Sequence, residues 1–235
     1  MKPAATPDTR PPLTLIAGAS GLIGRAFVAR WRGPGPLHLL LRRPLPAPLC
    51  PPPLCTQQQV DFSALPVLAP ATQAVCCLGT TLAVAGSPAA FRAVDLDAVL
   101  AFARAAQAAG ARRFAVVSAL GADARSRNLY SRTKGEMEDA LAAMGFDSLV
   151  IARPSLLAGD REALGQPARR GEALALALTR PLARLLPLAW RPIEADTVAH
   201  ALHAALAQAQ PGRQVLSSAA MQAMGRQSQE RGPGA

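Results

Sequence analysis

Lysine is almost missing from this 235-residue chain: Lys2 and Lys134 are the only two, and arginine supplies the rest of its 25 basic side chains against 15 acidic ones. Aromatic residues are scarce as well, at 4%, with one tyrosine, Tyr130. A nucleic-acid groove needs an ordered basic stripe and rings on which bases stack; scattered arginines with few aromatics argue against one despite the net charge of +10. Long apolar runs are lacking too. The most apolar late stretch, 173–190, is broken by Arg180, Pro181, Arg184 and Pro187, which excludes a membrane span there. The proline-bearing leader has no apolar segment of signal-peptide length. Cysteines number four. Cys50 and Cys55 lie in a proline-rich stretch and Cys76 and Cys77 are neighbours; strand neighbours point to opposite faces, so no metal site is expected, and free thiols in a reduced, cytoplasmic setting are.

Apolar residues, by contrast, make up 50% of the chain, enough for one sizeable core. Short apolar runs bounded by turn residues recur at Leu13 to Ala17, Leu37 to Leu41, around Gln58 to Val60, Ala74 to Leu78, Phe114 to Ser118 and Leu149 to Ala152. Such runs read as parallel strands buried on both faces. Helical patterns alternate with them. One follows the first strand through Trp31, a second opens at the cap pair Ser87-Pro88 and ends at Gly110, and a third runs from Leu129 to Met144 before Gly145. A last helix, Thr197 to Gln208, and a strand near Val215 and Leu216 return to the core. The alternation predicts an α/β fold, a Rossmann-type doubly wound parallel sheet with a small C-terminal substrate lobe. The expected bounds are a disordered leader over 1–12, one domain over 13–220 with the lobe at about 155–195, and a flexible tail over 221–235.

Directly after the first strand comes Gly18-Ala19-Ser20-Gly21-Leu22-Ile23-Gly24-Arg25, and a helix follows it. In that context the first two glycines let the backbone turn and approach a pyrophosphate, the third lets helix and strand close up, and the helix start supplies amide donors. An NAD site places an acid at the end of the second strand to accept from the ribose 2′-hydroxyl; here that strand ends in Arg42-Arg43. Guanidinium forks suit a 2′-phosphate, and Arg25 can converge on the same group, so NADP(H) is expected over NAD(H).

The lone tyrosine stands four residues before one of the two lysines, in Tyr130-Ser131-Arg132-Thr133-Lys134. Residues spaced i and i+4 share a helix face, so phenol and ammonium can enter one site. A nearby cation favours the phenolate and makes the phenol a usable acid toward a carbonyl receiving hydride. Ser118, ending the fifth strand, is the candidate third donor to the carbonyl oxygen.

Together these stretches resemble the atypical short-chain dehydrogenases/reductases, in particular the Tat-interacting-protein group and its bacterial relatives. The matching residues are Gly18 to Gly24, Cys77-Leu78-Gly79-Thr80-Thr81, Ser118-Ala119-Leu120-Gly121-Ala122-Asp123, Tyr130 with Lys134-Gly135-Glu136, and Arg153-Pro154-Ser155. The resemblance implies that Leu78, Gly79 and Thr80 line the cofactor, the latter two approaching its ribose, that Asp61 and Phe62 flank the adenine, and that Pro154 and Ser155 lie beside the nicotinamide. Relatives often carry a second serine where this chain has Ala119, and the lobe after Pro154 is shorter than in members acting on nucleotide sugars, which favours a small carbonyl substrate.

The expected activity is thus an NADP(H)-dependent oxidoreductase acting on a small carbonyl or alcohol, with Tyr130 as acid/base, Lys134 lowering its pKa and Ser118 holding the oxygen. The alternative is a non-catalytic NADP(H)-binding regulatory or scaffold protein. Expected partners are the small-molecule substrate and a protein partner or second copy of the chain, with no nucleic acid and no membrane. His38, His200 and His203 lack a metal-ligand arrangement and are expected in packing or surface roles.

Overall fold

Strands β1 (Thr14–Ala17), β2 (Leu37–Leu41), β3 (Cys55–Gln59), β4 (Gln73–Cys76), β5 (Arg113–Val117), β6 (Ser148–Arg153) and β9 (Gly212–Ser217) pair in the order β3-β2-β1-β4-β5-β6-β9, and every pairing is parallel. The computed structural model describes residues 12–45, 54–158 and 187–230. Parallel neighbours need crossovers, and helices supply them on both faces. On one face lie α1 (Leu22–Ala29), α6 (Ala195–Gln208) and α7 (Ser218–Glu230); on the other lie α3 (Pro88–Arg92), a π-helical segment (Ala93–Ala98), α4 (Val99–Ala108) and α5 (Leu129–Ala142). A short α2 (Leu82–Ala85) precedes α3, and β7 (Leu157–Ala158) pairs with β8 (Ile193–Glu194) as a separate two-stranded sheet.

Strand alternation sorts the core into two layers. Ile16, Leu39, Val75, Ala115 and Val150 face the α1/α6 side, while Leu15, Leu40, Ala74, Phe114 and Leu149 face the α4/α5 side. The strand order reverses between β1 and β4, so a crevice opens beyond their carboxyl ends, where open α/β sheets bind ligands.

The Rossmann-type architecture holds, with local corrections. β3 lies at Cys55–Gln59, not around Gln58 to Val60. Its sequence is polar because it is an edge strand with one partner, and its Thr56 and Gln58 side chains take the two ring nitrogens of His38 at 2.8 and 3.0 Å, a packing role for that histidine. Cys55 is disulfide-bonded, which corrects the expectation of free thiols throughout; Cys76 and Cys77 are free. The helix opened by Ser87, whose hydroxyl accepts from the Ala90 amide, is interrupted by the π-helical segment.

The tail expected to be flexible from 221 instead continues α7 through Glu230. Met221 is fully buried, and Gln222 Nε2 donates to the carbonyls of Leu188 (2.9 Å) and Arg191 (3.3 Å), fastening the helix to the 187–191 turn. The leader up to residue 11, most of the lobe (159–186) and residues 231–235 lie outside the described residues. Among the described residues no helix is long and apolar enough to cross a membrane.

Candidate active site

Gly18 follows β1 at φ +83°, and a Cβ there would lie 2.4 Å from the Cys77 carbonyl carbon in the loop after β4. Gly24 is equally constrained, since its Cβ would stand 2.2 Å from the Gly18 carbonyl oxygen. Gly21 differs. It caps α1 in extended geometry, and a Cβ there would meet only the Gly18 oxygen at 3.5 Å. Two glycines therefore serve the protein's own packing, while the middle one borders open space at a helix start, where a pyrophosphate would be cradled. Gly24→Ala is expected to destabilise the fold by about 1–3 kcal/mol through overpacking. Gly21→Ala is expected to leave the melting temperature unchanged and weaken dinucleotide binding about tenfold or more, by crowding the pyrophosphate. Thermal melts and cofactor titration of the two variants separate these roles.

The residues that would face the rest of a dinucleotide are placed around this turn. Leu22, Ile23 and Arg25 occupy the first turn of α1, and the Arg25 Nε donates to the Ser20 carbonyl at 3.2 Å. Arg42 and Arg43 are exposed at the end of β2, and neither is paired with a carboxylate among the described residues. Asp61 is exposed and accepts from the Ser63 amide at 2.9 Å, which holds its carboxyl below the usual range; Phe62 is buried with Val60 and Leu68 in the core. Leu78, Gly79 and Thr80 follow β4 at the topological switch.

Tyr130 and Lys134 do share a face of α5, and the structure shows what fixes them. The Tyr130 ring stacks on buried Phe91, centroids 5.5 Å apart. One turn along, Lys134 Nζ pairs with Asp95 Oδ1 at 2.7 Å, with side-chain exposures of 3% and 0%. Phe91 and Asp95 are themselves spaced i and i+4, so two helices meet as matched rungs. Outside them, Arg92 pairs with Glu136 at 2.6 Å. Asp95 lies within the π-helical segment, whose extra residue per turn re-aims side chains and which recurs at functional sites. The other carboxylate oxygen of Asp95 accepts the Thr80 amide at 2.8 Å. A Cβ on Gly79 would lie 3.7 Å from Lys134 Nζ, so the ammonium sits beside the loop that follows β4. Burial alone pushes the Lys134 ammonium toward neutrality, but Asp95 and Tyr130 outweigh it, and its pKa is raised.

The sequence reading missed Asp95, although an acid within the apolar stripe Phe91, Asp95, Val99, Phe102 was a signal of a buried partner. Glu138, fully buried one turn beyond Lys134, was missed too. It takes the Ser118 hydroxyl at 2.5 Å, both forks of Arg153 (2.6 to 3.2 Å) and Arg213 Nη2 (3.1 Å). Ser118, expected as a donor to the carbonyl oxygen, is thus hydrogen-bonded to Glu138. Its proton goes to a buried carboxylate that requires donors, and Glu138 is two helical turns from Tyr130, about 12 Å along the axis. Pro154 is buried, and its carbonyl accepts from the Leu120 amide at 2.8 Å. Ser155 donates to the Arg191 carbonyl and accepts from Ser218 (2.9 Å), so its hydroxyl ties β6 to the region before β8 and to α7. Cys76 is no nucleophile, since burial pushes its thiol up to about 12 and Cys77 is raised by the same cause.

A family model described as NAD(P)H-binding matches residues 18–181, the stretch that holds the glycine turn, the post-β4 loop and the Tyr130/Lys134 face. The chain belongs to this NAD(P)H-binding family. Within it, the resemblance to atypical short-chain dehydrogenases/reductases holds. Protein HTATIP2 of Rattus norvegicus is 43% identical over 123 residues, 51% of this chain and 49% of that protein. Mitochondrial FMP52 of Eremothecium gossypii is 35% identical over 151 residues, 63% of this chain and 67% of that one. The match thus spans about half of the rat protein and two thirds of the fungal one. Among solved structures, gox2253 superposes with a TM-score of 0.66 at 18% identity, covering 87% of this chain and 69% of that one. WbmG of Bordetella bronchiseptica, solved with NAD, gives 0.63 at 15% identity over 97% and 81%. These two likenesses establish the fold of the NAD(P)H-binding domain.

Proposed function

We propose that this NAD(P)H-binding chain is an NADP(H)-dependent oxidoreductase acting on a small carbonyl or alcohol. The observation that carries the reading is the placement of Tyr130 and Lys134 on one face of α5, with the Lys134 ammonium beside Gly79 at the topological switch. The open side of Gly21 and the exposed Arg42 and Arg43 fit a phosphorylated dinucleotide. When bound, NADP(H) supplies or receives the hydride. The chain's own part is to hold the pyrophosphate at the start of α1, to reach the ribose with Lys134, and to deliver a proton from the Tyr130 hydroxyl to the developing alkoxide, or remove it in the reverse direction. Ser118 enters this proposal as an anchor for Glu138 on α5, not as a donor to substrate.

The preference for NADP(H) rests on Arg42 and Arg43. Replacing both with alanine is expected to weaken NADPH binding about ten- to a hundredfold and leave NADH binding unchanged, because a charge-assisted fork to the 2′-phosphate is worth about 1.5–3 kcal/mol. Equal losses for both cofactors would remove the argument.

A second reading is favoured by the same carboxylate that orders the site. Asp95 compensates the Lys134 charge, and Ser118 is turned to Glu138, so the chain could instead serve as a non-catalytic NADP(H)-binding regulator with a protein partner or a second copy of itself. Assays of NADPH oxidation with a panel of small aldehydes and ketones decide between them. Turnover supports the oxidoreductase; tight NADPH binding without turnover on any member supports the regulator.

A further inference from the structure

At the pole of the sheet opposite the glycine turn, a cleft of about 380 Å³ opens between the end of α1 and the body of α6. Its walls carry Arg30, Arg32, Gly33, His200 and His203, with two alanines of α6. Four of these side chains offer nitrogen donors and none is a carboxylate. The acid nearby, Asp196, is engaged with Arg30 at 2.9 Å. Arg32 gives one N–H to the Trp31 carbonyl at 2.7 Å, and most of its fork has no partner among the described residues.

His203 is held rigidly. Its ring stacks on Phe27 with centroids 3.9 Å apart and planes 8° apart, and Trp31 lies 5.4 Å away. Its Nε2 reaches the Phe27 carbonyl at 3.0 Å, and a carbonyl only accepts, so Nε2 carries the proton and any second proton goes to Nδ1. Burial, with His200, Arg30 and Arg32 as neighbouring charges, holds its pKa below the usual histidine value. Two guanidinium groups and two imidazoles thus line one cavity with no carboxylate among the lining residues, an arrangement suited to an entering anion.

We propose that this cleft binds a phosphate group, free or as a small phosphomonoester, at a site separate from the dinucleotide crevice. Arg32 provides the planar fork, Arg30 adds charge, His200 offers ring nitrogens, and His203 is a donor whose protonation the anion itself promotes. Affinity rises as pH falls through the range where His203 charges, with Asp196 remaining on Arg30.

The test uses the Trp190→Phe protein, in which Trp31 is the remaining tryptophan of the original two. Inorganic phosphate is titrated at constant ionic strength while Trp31 fluorescence and the His203 imidazole resonances are followed, with glycerol phosphate as a parallel phosphomonoester probe. Expected are a saturable response, a His203 pKa raised by about one unit, and at least about tenfold weaker binding in Arg32→Ala. Either order of affinity between the two probes supports the site and decides which form it takes. A response matched by chloride at equal ionic strength, or unchanged in Arg32→Ala, overturns the proposal. So does phosphate binding that leaves Trp31 and His203 unmoved, the result expected if phosphate settles only at the glycine turn.

Discussion

Tyr130→Phe is expected to lower carbonyl-dependent NADPH oxidation by about 10²- to 10⁴-fold while NADPH still binds. The phenyl ring keeps its stack on Phe91, and Lys134 keeps its pairing with Asp95, so the substitution removes one hydroxyl and little else. Steady-state turnover beside calorimetric titration of NADPH reads the two quantities separately. Unchanged turnover would reject Tyr130 as the proton donor. A parallel loss of cofactor binding would show that the phenol contributes to holding the dinucleotide.

The second large effect is expected on stability. Asp95→Ala leaves the Lys134 ammonium, 3% exposed, without its partner, and breaking a buried pair in this way costs about 3–5 kcal/mol. In the native protein the Lys134 pKa is raised above its ordinary value of 10.5, so the pair's contribution is fully present below about 10.5 and fades as pH rises through the folded value. The variant reverses the sign. With Asp95 gone, burial dominates and the folded pKa falls below the unfolded one, so the unfolded chain binds more protons and stability climbs from neutral toward alkaline pH. Denaturant melts across that range check the direction, and a variant whose stability falls with pH as the native protein's does would contradict the assignment. The double variant Asp95→Leu, Lys134→Met is expected to recover most of the lost stability, because two apolar groups replace a buried pair with little net change, yet to lack turnover.

The parts of this molecule that were legible in the sequence follow from steric and periodic rules that act locally. The continuous apolar strands, the glycine spacing after β1 and the i, i+4 relation of Tyr130 and Lys134 each depend on residues close in the chain. What escaped depends on distant partners. Asp95 is 39 positions from Lys134, and Ser118 is 20 from Glu138; an acid's burial can be decided only once the helices are packed. The π-helical segment escaped for a related reason, since its residues, Ala93 to Ala98, are compatible with an ordinary α-helix and the wider turn lets Asp95 meet both Lys134 and the Thr80 amide. β3 was misplaced because an edge strand need not be apolar, and α7 because its largely polar sequence hides the inward anchors Met221 and Met224.

One carboxylate, Asp95, receives the backbone of the loop after β4 with one oxygen and the ammonium of α5 with the other. A displacement of that loop by a nucleotide would also move the counter-ion of the lysine. Occupancy of the crevice and the seating of the Lys134 ammonium are thereby joined through a single side chain, and a loop variant remote from α5 is expected to disturb a lysine that it never touches.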